Sequence, residues 1–266
     1  MGIVQGLTEF LPVSSSGHLI LVPFLFGWHD PFITSLAFSV ILHIGTLLAL
    51  FIYFWADWLR LVPAGLAALR DRSFRADPHR RLAWLLLAAT IPGALAGFLL
   101  NEVIESSVRE VGLVAATLVV GGGILWLADR RGARSKGVAD VSFQMAVGIG
   151  AAQALALVPG ISRSGISISA ARFFGLDREA AARFSFLMAT PVTTGAAVFE
   201  LRKLVTGEAS LDVNLAPLLA GVIASSVSGM LAIGVLLRYV RTRSLNVFVW
   251  YRLALAAVVL VVWLAR

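Results

Sequence analysis

Gln5-Gly-Leu-Thr-Glu9-Phe-Leu-Pro12-Val-Ser14-Ser15-Ser16-Gly17-His18 lies near the start of the chain, and Gln153-Ala-Leu-Ala-Leu157-Val-Pro159-Gly160-Ile-Ser162-Arg163-Ser164-Gly165 repeats its plan far downstream. In each, a Gln stands nine residues before a serine-rich turn, a Pro lies just ahead of that turn, and the turn closes on Ser-Gly. Ser162 follows Ser14 by the same offset at which Gly165 follows Gly17. Both stretches are embedded in apolar sequence yet carry residues that a membrane interior excludes. A duplicated, Pro/Gly-broken polar segment at corresponding places in two apolar halves points to a binding site at the interface of an inverted repeat.

The composition identifies the solvent. With 59% hydrophobic and 14% charged residues, and a mean hydropathy of +0.88, the 266-residue chain has more apolar surface than one soluble core can hide. An all-α integral membrane protein is expected, one membrane domain over 1–266 with repeat 1 at about 1–130 and repeat 2 at about 141–266. The absence of Cys excludes a disulfide framework, a thiolate nucleophile and a Cys-ligated metal. Lys and Arg outnumber Asp and Glu by 22 to 15, but they cluster in short segments between apolar runs, where they report topology rather than a nucleic-acid partner. Residues 1–27 lack the basic start and unbroken apolar run of a cleaved signal peptide.

Six runs are long enough to cross a bilayer as helices: 36–55, 81–100, 111–128, 182–201, 216–239 and 246–264. The segments 1–26 and 143–174 are apolar too, but Pro12 with its serines and Pro159-Gly160 would break a spanning helix. Each reads as a re-entrant helix-turn-helix hairpin, whose irregular backbone is tolerated only when buried in protein or lining a wet cavity. Arg60, Arg70, Arg72, Arg75 and Arg80 mark the 56–80 connection as cytoplasmic. So do Arg130, Arg131, Arg134 and Lys136 for 129–140, and Arg241 and Arg243 for 239–245. The 101–110 segment, with Glu102, Glu105 and Glu110 against Arg109, and the nearly balanced 202–214 segment are expected outside. Three spans then separate the hairpins, so the halves have opposite topology and their polar tips can meet within the membrane.

Gln5 and Glu9 share a helix face, as do Ser14 and His18, so amide, carboxylate, hydroxyl and imidazole can converge. Glu9 is the sharpest feature, because an ionisable group inside an apolar hairpin normally faces a cavity, a metal or a partner charge. The plainer reading leaves it wet near the outer interface. Arg163 suits two phosphate oxygens, while Ser162, Ser164 and the N–H groups of a Gly-rich helix start add donors, together a phosphate cradle. The plainer reading is an internal Glu9–Arg163 ion pair. His43 is the one scattered histidine placed to back the site, and Tyr251-Arg252 reads as an interfacial anchor. The small residues of 220–229 fit close helix packing.

Gly6-Leu-Thr-Glu9-Phe-Leu-Pro-Val-Ser-Ser-Ser-Gly-His18 and Pro159-Gly-Ile-Ser162-Arg163-Ser164-Gly165 resemble the two signature motifs of the undecaprenyl-diphosphate phosphatase family, the bacitracin-resistance type. The likeness extends over nearly the whole chain, including Ile41-Leu-His43-Ile-Gly-Thr-Leu-Leu48 and Arg183-Phe-Ser-Phe-Leu-Met-Ala-Thr-Pro191. The resemblance implies hydrolysis of undecaprenyl diphosphate, a polyprenyl diphosphate lipid, to the monophosphate and inorganic phosphate, recycling the lipid carrier of cell-wall synthesis in the bacterial inner (plasma) membrane. It also implies a divalent cation, Mg²⁺ or Ca²⁺, with Gln5 and Glu9 at the family's acidic positions. Ser167 stands where the family commonly has Thr, which keeps the hydroxyl, and only four residues precede Gln5, a short first arm.

Cleaving a phosphoanhydride needs an in-line nucleophile and positive groups on the equatorial oxygens. Arg163 and a metal answer the second need. For the first there are three options: Ser15 activated by His18, which is preferred, His18 itself, or water activated by Glu9 or the metal. Ser14, Ser16, Ser162, Ser164 and Ser167 are expected to bind substrate, and Glu9 with Gln5 to hold the cation. Type 2 phosphatidic acid phosphatases fit worse, because their motif needs a His where Ser169 stands. A site opening to the outer face is expected, and a homodimer is left open. The rival class is a transporter or flippase for a lipid phosphate or small anion, which shares the inverted-repeat architecture.

Overall fold

Serine caps and proline breaks set the boundaries of the helices in the computed structural model, which describes residues 1–74, 77–107, 110–132, 135–205 and 215–266. The first hairpin is α1 (Gly2–Phe10) and α2 (Ser15–Phe26), followed by a short α3 (Pro31–Thr34). Then come α4 (Leu36–Tyr53), α5 (Trp55–Asp71), α6 (Pro78–Ser107) and α7 (Val111–Arg131). The second hairpin is α8 (Phe143–Gln153), extended by one 3₁₀ turn at Ala154–Leu157, and α9 (Arg163–Phe173). The chain ends with α10 (Arg178–Val205), α11 (Leu215–Val240) and α12 (Asn246–Ala265). Ser14, Ser35, Ser142 and Ser162 each accept a first-turn N–H at the start of α2, α4, α8 and α9. Gly27, left-handed at φ 65°, stops α2.

The protein is an all-α, multi-pass membrane protein. Among the described residues, Pro78–Leu100 of α6 and the whole of α7 and α12, with Ala216–Val240 of α11, are long and apolar enough to cross a bilayer, with mean hydropathies of 2.0 to 2.3. A fifth span results if α4 and α5 count as one broken element, bent by 82°. The expected span at 182–201 lies on α10, which is long enough but not apolar enough to join them. Its Ser185, Thr190 and Thr193 are buried and turned toward protein, so its polarity serves the interior rather than lipid. Arg75, Arg109 and Arg134, most of the 202–214 segment and the side chains of Glu102 and Glu105 lie outside the described residues.

The packing exchanges partners between the halves: α1 lies on α11, α8 lies on α6, and α7 runs along α12. Close approach explains the small residues of α11. A Cβ on Gly6 would sit 2.0 Å from Ser228 Oγ, and one on Gly45 1.9 Å from Ser225 Oγ. The core is aromatic where α1, α4 and α10 meet, with Phe10 edge-on to Phe186 at 5.5 Å and Phe54 at 6.4 Å from the same ring.

One end of the bundle gathers the basic connections. Arg81 donates to the carbonyls of Ala139 and Val141, Arg178 grips Asp129 through two nitrogens, and Asp129 also accepts the Leu245 N–H. Arg241 pairs with Glu179 and Arg183 with Asp57. The opposite end joins Arg266 to the Phe24 carbonyl.

Candidate active site

The two signature turns adopt one backbone conformation. Ser14 has φ 77°, ψ 95° and Ser162 has φ 78°, ψ 116°, positive φ values that L residues rarely adopt and that cost of order 1–3 kcal/mol each. Each serine hydroxyl accepts the N–H three residues on, from Gly17 at 3.3 Å and Gly165 at 3.1 Å, and each sits 3.3–3.4 Å from the serine hydroxyl two residues on, Ser16 or Ser164. The duplication read in sequence is thus a duplication of shape. Gly160 is required beside it: φ is +95°, and a Cβ would lie 1.9 Å from Thr117 Oγ1.

The turns also interlock. The Gly160 N–H donates to Ser14 Oγ at 3.1 Å, and Ser164 Oγ donates to the Leu11 carbonyl at 3.1 Å. The starts of α2 and α9 are thereby brought near one another, and the N–H groups of Ser15, Ser16, Arg163 and Ser164 have no preceding helical carbonyl. Helix N-termini of this kind attract anions.

Glu9 is the hub. It is buried on α1, and its two oxygens accept from Gln5 Nε2 at 3.1 Å, from Ser15 Oγ and from Arg163 Nη2. His43 Nε2 on α4 lies 3.5 Å from the same carboxylate, while His43 Nδ1 is 2.8 Å from the Ser39 carbonyl. The Arg163 fork is held from its other side by Thr193 Oγ1 at 2.5 Å and the Ala189 carbonyl at 3.3 Å, both on α10. Five elements thus bring together one acid, one guanidinium, two hydroxyls, one amide and one imidazole. Glu9 is not a wet surface group.

Several sequence expectations change. Ser15 does not pair with His18. As the first residue of α2 it turns across to Glu9, whereas the His18 ring folds back so that Nδ1 meets the Ser14 carbonyl at 2.7 Å and Nε2 meets Tyr251 Oη at 2.7 Å, with the two rings stacked. A carbonyl only accepts, so Nδ1 carries hydrogen, and in the neutral ring Nε2 accepts a hydrogen bond from the Tyr251 hydroxyl. Both nitrogens are thereby engaged away from Ser15. Ser167 does not face the substrate region: its hydroxyl is fully buried between the Arg163 carbonyl at 2.7 Å and Ser185 Oγ at 2.5 Å. Ser14 and Ser162 serve first as caps, and Ser164 as an interlock. Arg252 is not an anchor, since it is wholly buried, whereas Tyr251 is exposed and hydrogen-bonded to His18. The one sequence signal for this was depth, for Arg252 is seven residues into α12, too far for an end-of-span snorkel. Thr193 gave no local signal, because its register is set by how α10 packs.

The donors suit a hard cation. Gln5 Oε1 is buried beside Glu9 with no hydrogen-bond partner, an orphaned oxygen next to a carboxylate. Among the described residues no group of three His, Cys, Asp or Glu gathers as a protein cage. Mg²⁺ keeps few protein ligands and takes the rest from water and phosphate, so one carboxylate and one amide fit it.

Residues 1–258 match the family described as bacitracin resistance protein BacA. The undecaprenyl-diphosphatase of Desulforudis audaxviator is 47% identical over 266 residues, covering 100% of this chain and 97% of that one. That of Gemmatimonas aurantiaca is 48% identical over 260 residues, covering 97% and 94%, and that of Geobacter sulfurreducens 45% over 267 residues, covering 100% and 97%. With two interlocked serine turns around a Glu9–Arg163 pair, and a match that runs almost from end to end, the chain belongs to the bacitracin resistance protein BacA family.

Proposed function

We propose that the protein hydrolyses undecaprenyl diphosphate to undecaprenyl phosphate and inorganic phosphate. The observation that carries the site is the convergence of Ser15, Arg163 and Gln5 on the Glu9 carboxylate where two helix N-termini meet. The terminal phosphate takes Glu9's place on Arg163, whose fork offers paired donors to phosphate oxygens. The N–H groups opening α2 and α9 hold the remaining charge. Released from Arg163, Glu9 accepts the Ser15 proton as Ser15 Oγ attacks the terminal phosphorus. The P–O bond to the lipid phosphate breaks, and undecaprenyl phosphate leaves. Glu9 hands that proton to the departing lipid phosphate; water, giving a proton to Glu9, then attacks the phosphoserine phosphorus, and Glu9 returns the proton to Ser15 Oγ as the Ser15 O–P bond breaks and inorganic phosphate leaves. Gln5 Oε1 and Glu9 would hold a divalent cation, which when bound would neutralise phosphate charge. His18, fixed by Ser14 and Tyr251, keeps the turn in shape rather than acting as the base.

The same proposal places the hairpins as re-entrant segments within an inverted repeat of about 1–130 and 141–266, in the bacterial inner membrane, with the site opening outward. Matching Ser14 and Ser162 turns and the exchanged packing of α1 and α8 support the repeat. Phosphate release from a C15 or C55 polyprenyl diphosphate by detergent-purified protein tests the reaction, with Mg²⁺, with EDTA, and with Arg163→Ala. Release that needs the metal and disappears in the variant is expected. A folded wild-type protein that releases nothing overturns the proposal.

A further inference from the structure

Arg252 is the most deeply buried cation near the site, and among the described residues no carboxylate lies within ion-pairing distance of it. Its donors go to main-chain carbonyls instead. Nε reaches Leu118 at 3.0 Å on α7, Nη1 reaches Pro12 at 3.3 Å, and Nη2 reaches Gly160 at 2.7 Å and Ile161 at 3.1 Å. Pro12 lies just ahead of the Ser14 turn, and Gly160 and Ile161 just ahead of the Ser162 turn. One side chain thus grips both signature turns from behind and fastens them to α7. We propose that Arg252 is a positioning residue that sets the register of the two hairpins, so that Arg163 on one meets Glu9 on the other.

Three observations carry this. Both serine turns have positive φ, a state that persists only where the surroundings over-determine it, and Arg252 is one group bonded to the approach of both. Space has been cleared for it: a Cβ on Gly121 would lie 2.2 Å from Arg252 Nη2, and one on Gly165 3.1 Å from Nη1. Finally, the task needs a planar fork with five N–H donors, because the acceptors stand on three separate segments, and the single ammonium of Lys cannot span them. A buried cation without a counter-ion is an expensive way to hold a fold together, which fits retention for geometry at the site.

The test separates register from folding and from the hydrolysis reading on which the kinetic arm rests. The chain has no Cys, so spin labels at Leu7→Cys and Leu155→Cys, on the exposed sides of the two hairpins, report their separation without background. This pair is combined with Arg252→Lys, with Gly121→Ala, whose Cβ would displace the guanidinium and also meet the Ile161 carbonyl at 2.7 Å, and with Gly122→Ala. The Gly122 Cβ would lie 3.7 Å from the Arg252 side chain, ordinary contact. The expected result is a broadened or shifted distance distribution for Arg252→Lys and Gly121→Ala. Their kcat should fall about 10²-fold, the penalty of an ångström-scale misplacement, with much less change in KM. Gly122→Ala should match the parent. If Arg252→Lys does not fold, Arg252→Gln takes its place, and a parental distribution in Gly121→Ala still overturns the proposal. Parental distance distributions in Arg252→Lys or Gly121→Ala, whatever their activity, would overturn the proposal.

Discussion

Glu9 accepts hydrogen bonds from a serine hydroxyl, an amide and a guanidinium at once, so its neighbours should fail in different ways when changed. Arg163→Ala removes the guanidinium proposed to hold the terminal phosphate and should lower kcat about 10²–10³-fold in the phosphate-release assay. Glu9→Gln should do at least as much, while Ser167→Ala, which loses only internal bonds to Ser185 and Arg163, should keep activity within a few-fold and cost about 1 kcal/mol in thermal unfolding. Gln5→Leu deletes the orphaned oxygen and should raise the Mg²⁺ concentration for half-maximal activity on the order of tenfold. An unchanged Mg²⁺ titration would remove Gln5 from the cation site. At this scale Glu9 and Arg163 were legible because charge inside apolar sequence has to be explained. The Ser15 partner was not, since side-chain direction at a turn depends on where the next helix starts, and α2 starts at Ser15 itself. Tyr251 and Thr193 enter the site through tertiary packing, which no local pattern encodes.

The elements that matter most are the shortest. A Ser14 or Ser162 cap works because the following residues run straight into a helix, and the preceding Pro keeps the first arm from continuing through the turn. Gly160→Ala should therefore be severe: a Cβ 1.9 Å from Thr117 Oγ1 and 2.8 Å from the Val114 carbonyl, at φ +95°, adds overpacking to strain, at least about 2 kcal/mol together. Lowered melting temperature in detergent, with activity lost in parallel, is the readout. Helix boundaries at α4, α7, α11 and α12 agree with the apolar runs because composition and length decide them. The run at 36–55 ends close to the 82° bend at Phe54, but the helix α5, which fills most of the 56–80 connection, was not foreseen, because its arginines and exposed apolar residues read as a loop between spans. α10 shows the opposite limit: the run at 182–201 reads as a span, and a long helix does stand there, but its inward polar residues leave it less apolar than the spans.

Over the whole molecule, the three basic connections expected on the cytoplasmic side do lie together, joined through Arg81, Asp129, Arg178 and Leu245. Single cysteines at Arg72 and Arg243 should react with a membrane-impermeant maleimide only after permeabilisation, and one at His29, toward the opposite end, should react in intact cells. The reverse pattern would turn the molecule over. The division of labour between the halves has one more result. Glu9 and Arg163 are 154 positions apart, and Leu157 takes the place in the second hairpin that Glu9 has in the first. During synthesis the acid leaves the ribosome long before its cation, and a lone acidic side chain at mid-membrane costs about 3 kcal/mol on insertion scales. The nascent first hairpin is therefore expected to wait at the bilayer surface, and to sink into place only when the second arrives to neutralise it.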